Sequence, residues 1–525
     1  MSIPIIDLFA GPGGLGEGFS ALRQPGSTEK LFKIALSVEM DQHAHQTLEL
    51  RSFFRQFPDR QAPAEYYQYL AGLLTRKALF EAYPVQAALA SKEAMRAELG
   101  ASDKGVKGKS DNRQIFQRIR EALGTRPGQW ILIGGPPCQA YSTAGRARLR
   151  ESNPEKFEND RRKTLYREYL KILARFRPTI FVMENVRGML SATVNGEPIV
   201  DRIFSDLRDP RRTLSEPSGG WEGAAPHYEI YSLVTPPHPD RRLDPADYLI
   251  QSEQYGIPQT RHRVILLGVR RDAACRGIPG MLEPYSDPTT GEPAEIPVQR
   301  VVGDLPAIRS QLSRRKDVQE EWIQQVLSVG EAPFMDELDR GEIRRGADVA
   351  AAICREVARS GTYPTNGGER LPIVSEPDYN PNDWYTDPRL TVTCNHTARS
   401  HMPSDLHRYL FVSCFGLVNG FSPKTRDFPR TLLPDHRSIQ EHVAGTDEIF
   451  DDRFRVQIAE EPATTITSHI AKDGHYNIHF DPSQCRALTV REAARIQTFP
   501  DNYFFEEPRT EQYKQVGNAV PSLRA

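Results

Sequence analysis

The sequence predicts an α/β protein: a doubly wound, Rossmann-like sheet over residues 1–285, then a second, smaller domain over residues 286–485, with residues 486–525 returning to complete the first. Three observations carry this. An apolar run at 4–9 leads through a glycine-rich turn and a short helical stretch at 17–22 into another apolar run at 33–40, which is half of such a sheet. Further apolar runs at 130–133, 179–183 and 263–269 continue the alternation, with a helical stretch near 165–174. After about residue 288 the rhythm gives way to short mixed segments rich in Pro, Asp and Arg, and regular signals return only at 488–498.

Bulk properties narrow what the chain can be. No apolar run approaches the ~18 residues of a spanning helix, which excludes a membrane partner of that kind. The N-terminus, MSIPIIDLFAGPGG, enters a core strand without the basic segment of an export signal, so a soluble cytoplasmic protein is expected. Six cysteines without a C-x-x-C pair, and thirteen histidines with none at zinc spacing, predict reduced thiols and no metal. The net charge of −2 conceals an asymmetry, because residues 101–181 hold 18 Lys and Arg against 8 Asp and Glu. A solvated helical face is the ordinary fate of such a run. This one brackets a Gly-Gly-Pro-Pro-Cys sequence, which makes attraction of a phosphate backbone the better explanation.

Taken in order, Gly11-Pro12-Gly13-Gly14-Leu15-Gly16 fits G-x-G-x-x-G between strand and helix, and Glu39 ends the second strand. Glycines let a backbone approach a nucleotide, and the carboxylate can accept from both ribose hydroxyls. NAD, FAD and S-adenosylmethionine (SAM) all satisfy this pattern, and so does a turn without a ligand. Residues 42–129 read as polar helices to which the sequence assigns no function. Gly134-Gly135-Pro136-Pro137-Cys138-Gln139 follows the carboxyl end of a strand, where open sheets meet ligands. The prolines restrict the loop, and Arg146, Arg148 and Arg150 would raise the thiolate fraction of a thiol whose free pKa is ~8.5. A buried apolar cysteine is the commoner case, but these neighbours make a poor core.

Glu184 ends the next strand, in FVMENV. Neighbouring parallel strands present their carboxyl ends on one side, so Glu184 meets the pocket of Cys138, or else serves as a plain ion-pair partner. In Gln259-Thr260-Arg261-His262-Arg263, alternation points Gln259, Arg261 and Arg263 one way; a polar ligand and an edge-strand charge pattern fit equally well. Thr489 and Glu492 form a capping-box pair at the start of a helix.

Together DLFAGPGGLGEGF, SVEMD, GGPPCQAYS, MENVRGM, QTRHRV, RALTVREAARIQTFPDNY and QVGNAVP resemble, in order and spacing, the motifs of the DNA (cytosine-5-)-methyltransferases. The resemblance implies a SAM-dependent methyltransferase sheet with a target-recognition domain, acting on carbon 5 of cytosine in a specific sequence of duplex DNA. At matching positions Phe9, Gly11 and Gly13 would line the SAM site, Glu39 would hold the ribose, Leu165 would add an apolar contact and Asn518 would help close the methionine side. Cys138 would attack carbon 6, Glu184 would bond N3 and the exocyclic amine, and Arg263, with Arg261, would hold O2. Attack perpendicular to the ring requires the base to be flipped out of the stack.

Within 286–485, Asn395, His396, Arg399, His401 and Arg408 are candidate base or phosphate contacts, with a packed helix as the equal alternative. The resemblance departs from the family in three ways. The acidic contact to the adenine amine has only Asp103 and Asp111 as candidates; the chain stops at Ala525, inside the helix expected after GNAVP; and no motif supplies the carbon-5 base. A monomer is expected, with a cognate restriction endonuclease as candidate partner. The rival functions are a cytosine-5 RNA (tRNA) methyltransferase sharing the Pro-Pro-Cys loop, and a catalytically silent DNA-binding subunit. An NAD enzyme would leave that loop without a purpose.

Overall fold

The computed structural model describes residues 2–24, 26–59, 61–100, 112–124, 128–136, 161–194, 197–214, 224–238, 240–273, 280–314, 317–361, 365–434, 452–472 and 474–523. Among them a single large sheet contains eight strands: β1 (Ile3–Leu8), β2 (Phe32–Glu39), β3 (Ala94–Arg96), β4 (Ile131–Gly134), β5 (Ile180–Val186), β6 (Tyr228–Tyr231), β7 (Leu249–Gln251) and β8 (His262–Arg270). Their order is β3-β2-β1-β4-β5-β8-β6, with β7 also paired to β8. β1 to β5 pair in parallel. Ile6, Leu8, Leu36 and Leu132 face one apolar cluster and Ile5, Ile34 and Ile133 another, so the central strands are covered on both sides. That is why they read as unbroken apolar runs. The chain is α/β, as expected.

β8 differs from the expected continuation of the alternation, because it runs antiparallel to β5, β6 and β7. The link from β7 to β8 holds a short 3-10 turn, Ser252–Tyr255, Gly256 at φ 76° and a two-residue strand, Gln259–Thr260, with no helix long enough for a crossover. A parallel return needs a crossover of a dozen or more residues, usually a helix. The reversal brings the amino end of β8 to the edge where β5 ends, with Arg263 opposite Val186.

The glycine turn starts its helix earlier than its sequence suggests. α1 spans Gly14–Ala21, and Gly13 caps it at φ 102°, a conformation suited to glycine. Residues 42–93 form α2 (Gln42–Arg55), α3 (Ala64–Leu70), α4 (Arg76–Ala82) and α5 (Pro84–Glu93). Asp41 caps α2 by accepting from the N–H groups of His43 and Ala44. These helices share a core of Phe53, Tyr66, Leu70 and Leu79 with Leu390, Cys394 and Phe504. Tyr67 donates to Asp387 at 2.7 Å, and Arg370 Nε to the Leu70 carbonyl at 2.8 Å. A stretch with no assigned role is therefore a bracket between the sheet and later chain.

Trp322, Phe334, Ile353, Phe411 and Phe415 centre a further core. Another gathers Val301, Tyr385, Ile466, Phe499, Tyr503 and Val516, where the chain returns to the sheet. The capping box is present: Thr489 accepts from the Glu492 N–H, and Glu492 from the Thr489 N–H. Helix Val490–Ile496 is buried throughout, its polar residues included. Arg486 donates through both terminal nitrogens to Glu492, each at 2.7 Å.

The same burial corrects three of the expected nucleic-acid contacts, Asn395, His396 and His401. Asn395, at φ 57°, is buried and bonded to Glu369 and to the backbone of Phe505. His396 is fully buried between Thr489 and the Pro306 carbonyl, and burial pushes its pKa down to about 4. His401 is likewise buried, and burial holds it well below the ordinary histidine range. Arg408 bonds Asp405 and the Leu432 carbonyl, and Arg399 lies over the Tyr513 ring. Asn395, His396 and His401 are thus satisfied inside the molecule rather than facing a ligand, while the two arginines are half-buried. Among the described residues no helix is long and apolar enough to cross a membrane, and no cluster of His, Cys, Asp and Glu could hold a metal.

Candidate active site

The carboxyl edge of the parallel strands gathers most of the residues singled out from the sequence. β4 ends at Gly134, φ 154°, where a Cβ would lie 2.4 Å from the Leu8 carbonyl oxygen, so no side chain fits. Gly135 comes next, and a Cβ there would lie 2.8 Å from Glu184 Oε2. Glu184 therefore occupies the space that glycine leaves free. Its Oε1 lies 2.8 Å from Arg263 Nε, an ion contact whose angle is too bent for a hydrogen bond. Arg263 also donates to the His262 carbonyl at 2.8 Å. Asn185 is buried; its amide donates to the Pro136 carbonyl at 3.4 Å and accepts from the Val186 N–H, tying the end of β5 to the start of the Pro-Pro-Cys loop. Cys138 itself lies outside the described residues, as do Asp103, Asp111 and the arginines at 146, 148 and 150.

On the other side of β4, Phe9 follows β1 at φ 58°, a strained setting for a side chain of its size. Gly11, also at φ 58°, has nothing within 4 Å of where a Cβ would stand. That is the space a ligand needs. Glu39 accepts from the Gly11 N–H at 2.8 Å and the Asp41 N–H at 2.7 Å, one bond to each oxygen, and lone pairs remain on both. Burial raises its pKa, against those two backbone donors. Beneath the loop, Asp7 is sealed under Gly16. Burial pushes its carboxyl up to about 8, with Arg55 lowering it and Glu39 raising it. Leu165, on helix Arg161–Phe176, and Phe9 border the same apolar core.

Gly13 and Gly14 also let later chain pack closely on the loop. A Cβ at Gly13 would meet Leu48 at 2.9 Å and the Tyr503 hydroxyl at 3.0 Å; one at Gly14 would meet the Val520 carbonyl at 2.6 Å. The Tyr503 hydroxyl also donates to the Pro12 carbonyl. The REAARIQTFPDNY and GNAVP stretches thus lie directly on the glycine loop, with Asn518 exposed at the end of helix Arg509–Asn518.

Arg261 and Gln259 do not reach the Glu184 carboxylate. Arg261 is buried and donates to the Ile466 carbonyl at 2.6 Å and the Ala519 carbonyl at 2.9 Å. Gln259 bonds Gln497, the Ile496 carbonyl and the Ile466 N–H. The groups facing them belong to the protein itself, backbone carbonyls and the Gln497 amide. Reading the sequence also passed over Glu98. It stands two residues past β3, half-buried, at the edge where Arg96 pairs with Glu39. The signal was a three-residue strand immediately following α5, too short for periodicity to reveal.

The family model "C-5 cytosine-specific DNA methylase" matches residues 110–209 and 247–524. The chain is 29% identical over 532 residues to type II methyltransferase M.Bpa9945I of Bacillus paralicheniformis, covering 99% of this chain and 96% of that protein. It is 25% identical over 434 residues to type II methyltransferase M.AgeI of Thalassovita gelatinovora, covering 78% and 83%. The solved Entamoeba histolytica methyltransferase EhMeth aligns with 100% of this chain and 95% of its own, loosely, at a TM-score of 0.39 and 11% identity. The family match takes in the Gly135, Glu184 and Arg263 edge together with the returning C-terminal helices and extends over most of the sequence, and the chain belongs to the C-5 cytosine-specific DNA methylases.

Proposed function

We propose that this protein methylates carbon 5 of a cytosine flipped out of a specific duplex DNA sequence, through a covalent adduct to Cys138. The observation that carries the reading is the Glu184–Arg263 pair, held against Gly135 three residues before that cysteine. Cys138 attacks carbon 6 as a thiolate. Glu184 bonds N3 and the exocyclic amine, stabilising the enamine that forms, while Arg263 keeps the carboxylate in place and holds O2. Once carbon 5 has gained its methyl group, a base removes the proton there and the thiol leaves.

SAM fits the residues on the cofactor side, and when bound it supplies an electrophilic methyl group. Gly11 leaves the backbone open, Glu39 has free lone pairs for two ribose hydroxyls, Phe9, Gly13 and Leu165 offer the surrounding surface, and Asn518 closes the methionine end. Glu98 is the acidic group for the adenine amine. Residues 286–485 serve as the target-recognition region, and the basic stretch at 101–181 attracts the DNA backbone.

The test uses mixed-sequence duplex DNA carrying 5-fluorocytosine, whose fluorine cannot leave as a proton does. With SAM present, the wild type is expected to form a complex that survives denaturing electrophoresis, and Cys138→Ser is not. Trapping by both or by neither overturns the assignment of Cys138. Labelled methyl transfer to tRNA but not to DNA overturns the substrate.

A further inference from the structure

Arg261 stands between three pieces of chain that the proposed reaction uses separately. It follows Gln259-Thr260, a short strand paired in parallel with Ala463-Thr464, and it precedes Arg263 by two residues on the way into β8. One terminal nitrogen holds the Ile466 carbonyl at 2.6 Å and the other the Ala519 carbonyl at 2.9 Å. Gln497 donates to the Val516 carbonyl at 2.8 Å and also reaches Ala519, while accepting from Gln259 at 3.0 Å. Ala519 follows Asn518, and the next carbonyl, that of Val520, is the one pressed on Gly14 of the cofactor loop. On the far side, Gly517 lies so close to Thr467 that a Cβ would come within 2.3 Å of its carbonyl carbon.

We propose that Arg261 is a positioning residue that couples the target-base end of β8 to the cofactor loop, rather than a group that touches the base. Each terminal nitrogen donates to a backbone carbonyl, and the side chain is 3% exposed, so almost none of it is open to a substrate. What it can transmit is position. A shift of β8 on engaging a base at Arg263 moves the Ala519 carbonyl, and with it Asn518 and the Val520 contact on Gly14. Lysine keeps the charge but cannot hold two diverging carbonyls as a guanidinium fork does. The inference rests on the methyltransferase reading above.

The test is titration calorimetry with S-adenosylhomocysteine, the demethylated form of SAM, on wild type, Arg261→Lys and Gln497→Leu, each with and without sheared unmethylated genomic DNA. Gln497→Leu removes the other hold on Ala519 and leaves Arg261 in place. The wild type is expected to bind the ligand more tightly when DNA is present, by at least fivefold, a factor that linkage makes reciprocal. In both variants that factor falls toward one, and affinity without DNA drops about tenfold, as for loss of one hydrogen bond. In steady-state assays KM for SAM rises by more than kcat falls. Wild-type binding with unchanged affinity and an unchanged DNA factor in the variants overturns the coupling alone. So does an Arg261→Lys enzyme that loses kcat while keeping its KM, since that marks a group acting on the base. A wild type that takes up no ligand at all overturns the methyltransferase reading itself.

Discussion

Gly135→Ala isolates the geometry of the Glu184 carboxylate with one methyl group. The added Cβ would lie 2.8 Å from Glu184 Oε2 and 3.3 Å from its carbonyl oxygen. Ordinary contact begins at 3.4 Å, so the carboxylate must retreat by about 0.6 Å. It is the far end of a flexible side chain and can do so without disturbing the sheet. Gly135 is not in the left-handed region, and alanine there should change folding stability little, or raise it by about 0.4–1 kcal/mol through the unfolded chain. Catalysis has less tolerance. Catalytic groups must sit within about 0.5 Å of their working positions, and a 1 Å error can cost ~100-fold. A fall of about tenfold in kcat/KM is expected, equivalent to about 1.4 kcal/mol of transition-state stabilisation. The assay is transfer of labelled methyl from SAM to unmethylated genomic DNA, alongside urea unfolding. Gly128→Ala, where a Cβ meets nothing within 4 Å, is the control. Activity within twofold of wild type would refute the placement of Glu184 against Gly135, and a loss of stability above about 2 kcal/mol would show that the strain falls on the backbone instead.

Glu492→Gln leaves Arg486 as a buried cation facing an amide, and urea unfolding should show a loss of up to about 3–5 kcal/mol. Burial acts to raise the Glu492 carboxyl, but Arg486 and His479 outweigh it and hold it well below the usual range. Its contribution is therefore full above the unfolded pKa of about 4.3 and disappears as pH falls toward the folded value, so the variant should lose stability less steeply in acid than the wild type. His396→Ala should destabilise by about 1–3 kcal/mol yet leave the slope of DNA affinity against log salt unchanged; a shallower slope would return His396 to the DNA. Glu98→Gln should weaken S-adenosylhomocysteine binding about tenfold in calorimetry with DNA affinity unaffected, and unaltered ligand affinity removes Glu98 from the cofactor site.

The parts of the fold legible in the sequence were those governed by neighbours in the chain. Strand, glycine turn and helix at 3–21 follow from local periodicity and from backbone conformations that favour glycine, and the Thr489 capping box spans four residues. Glu184 was legible because a strand end fixes where its side chain emerges. The antiparallel sense of β8 was not, since an apolar run reads alike in both directions and only the length of the β7–β8 link decides. The close packing of Tyr503 on Gly13 and of Val520 on Gly14 was not legible either, since these partners lie about 500 residues away. Asn395, His396 and His401 failed for the same reason. A polar side chain satisfied by distant backbone carries no mark of it in its own neighbourhood.

The contacts of Tyr503 with Pro12 and of Val520 with Gly14 also set an order of events on the ribosome. Domains begin to fold from the amino terminus as the chain emerges, at roughly 5–20 residues per second. β1 and the glycine loop leave the exit tunnel long before the surface that covers them is synthesised. For much of that interval the loop has no lid, and a nascent chain released before Tyr503 would carry the first strands without the cofactor site that they begin.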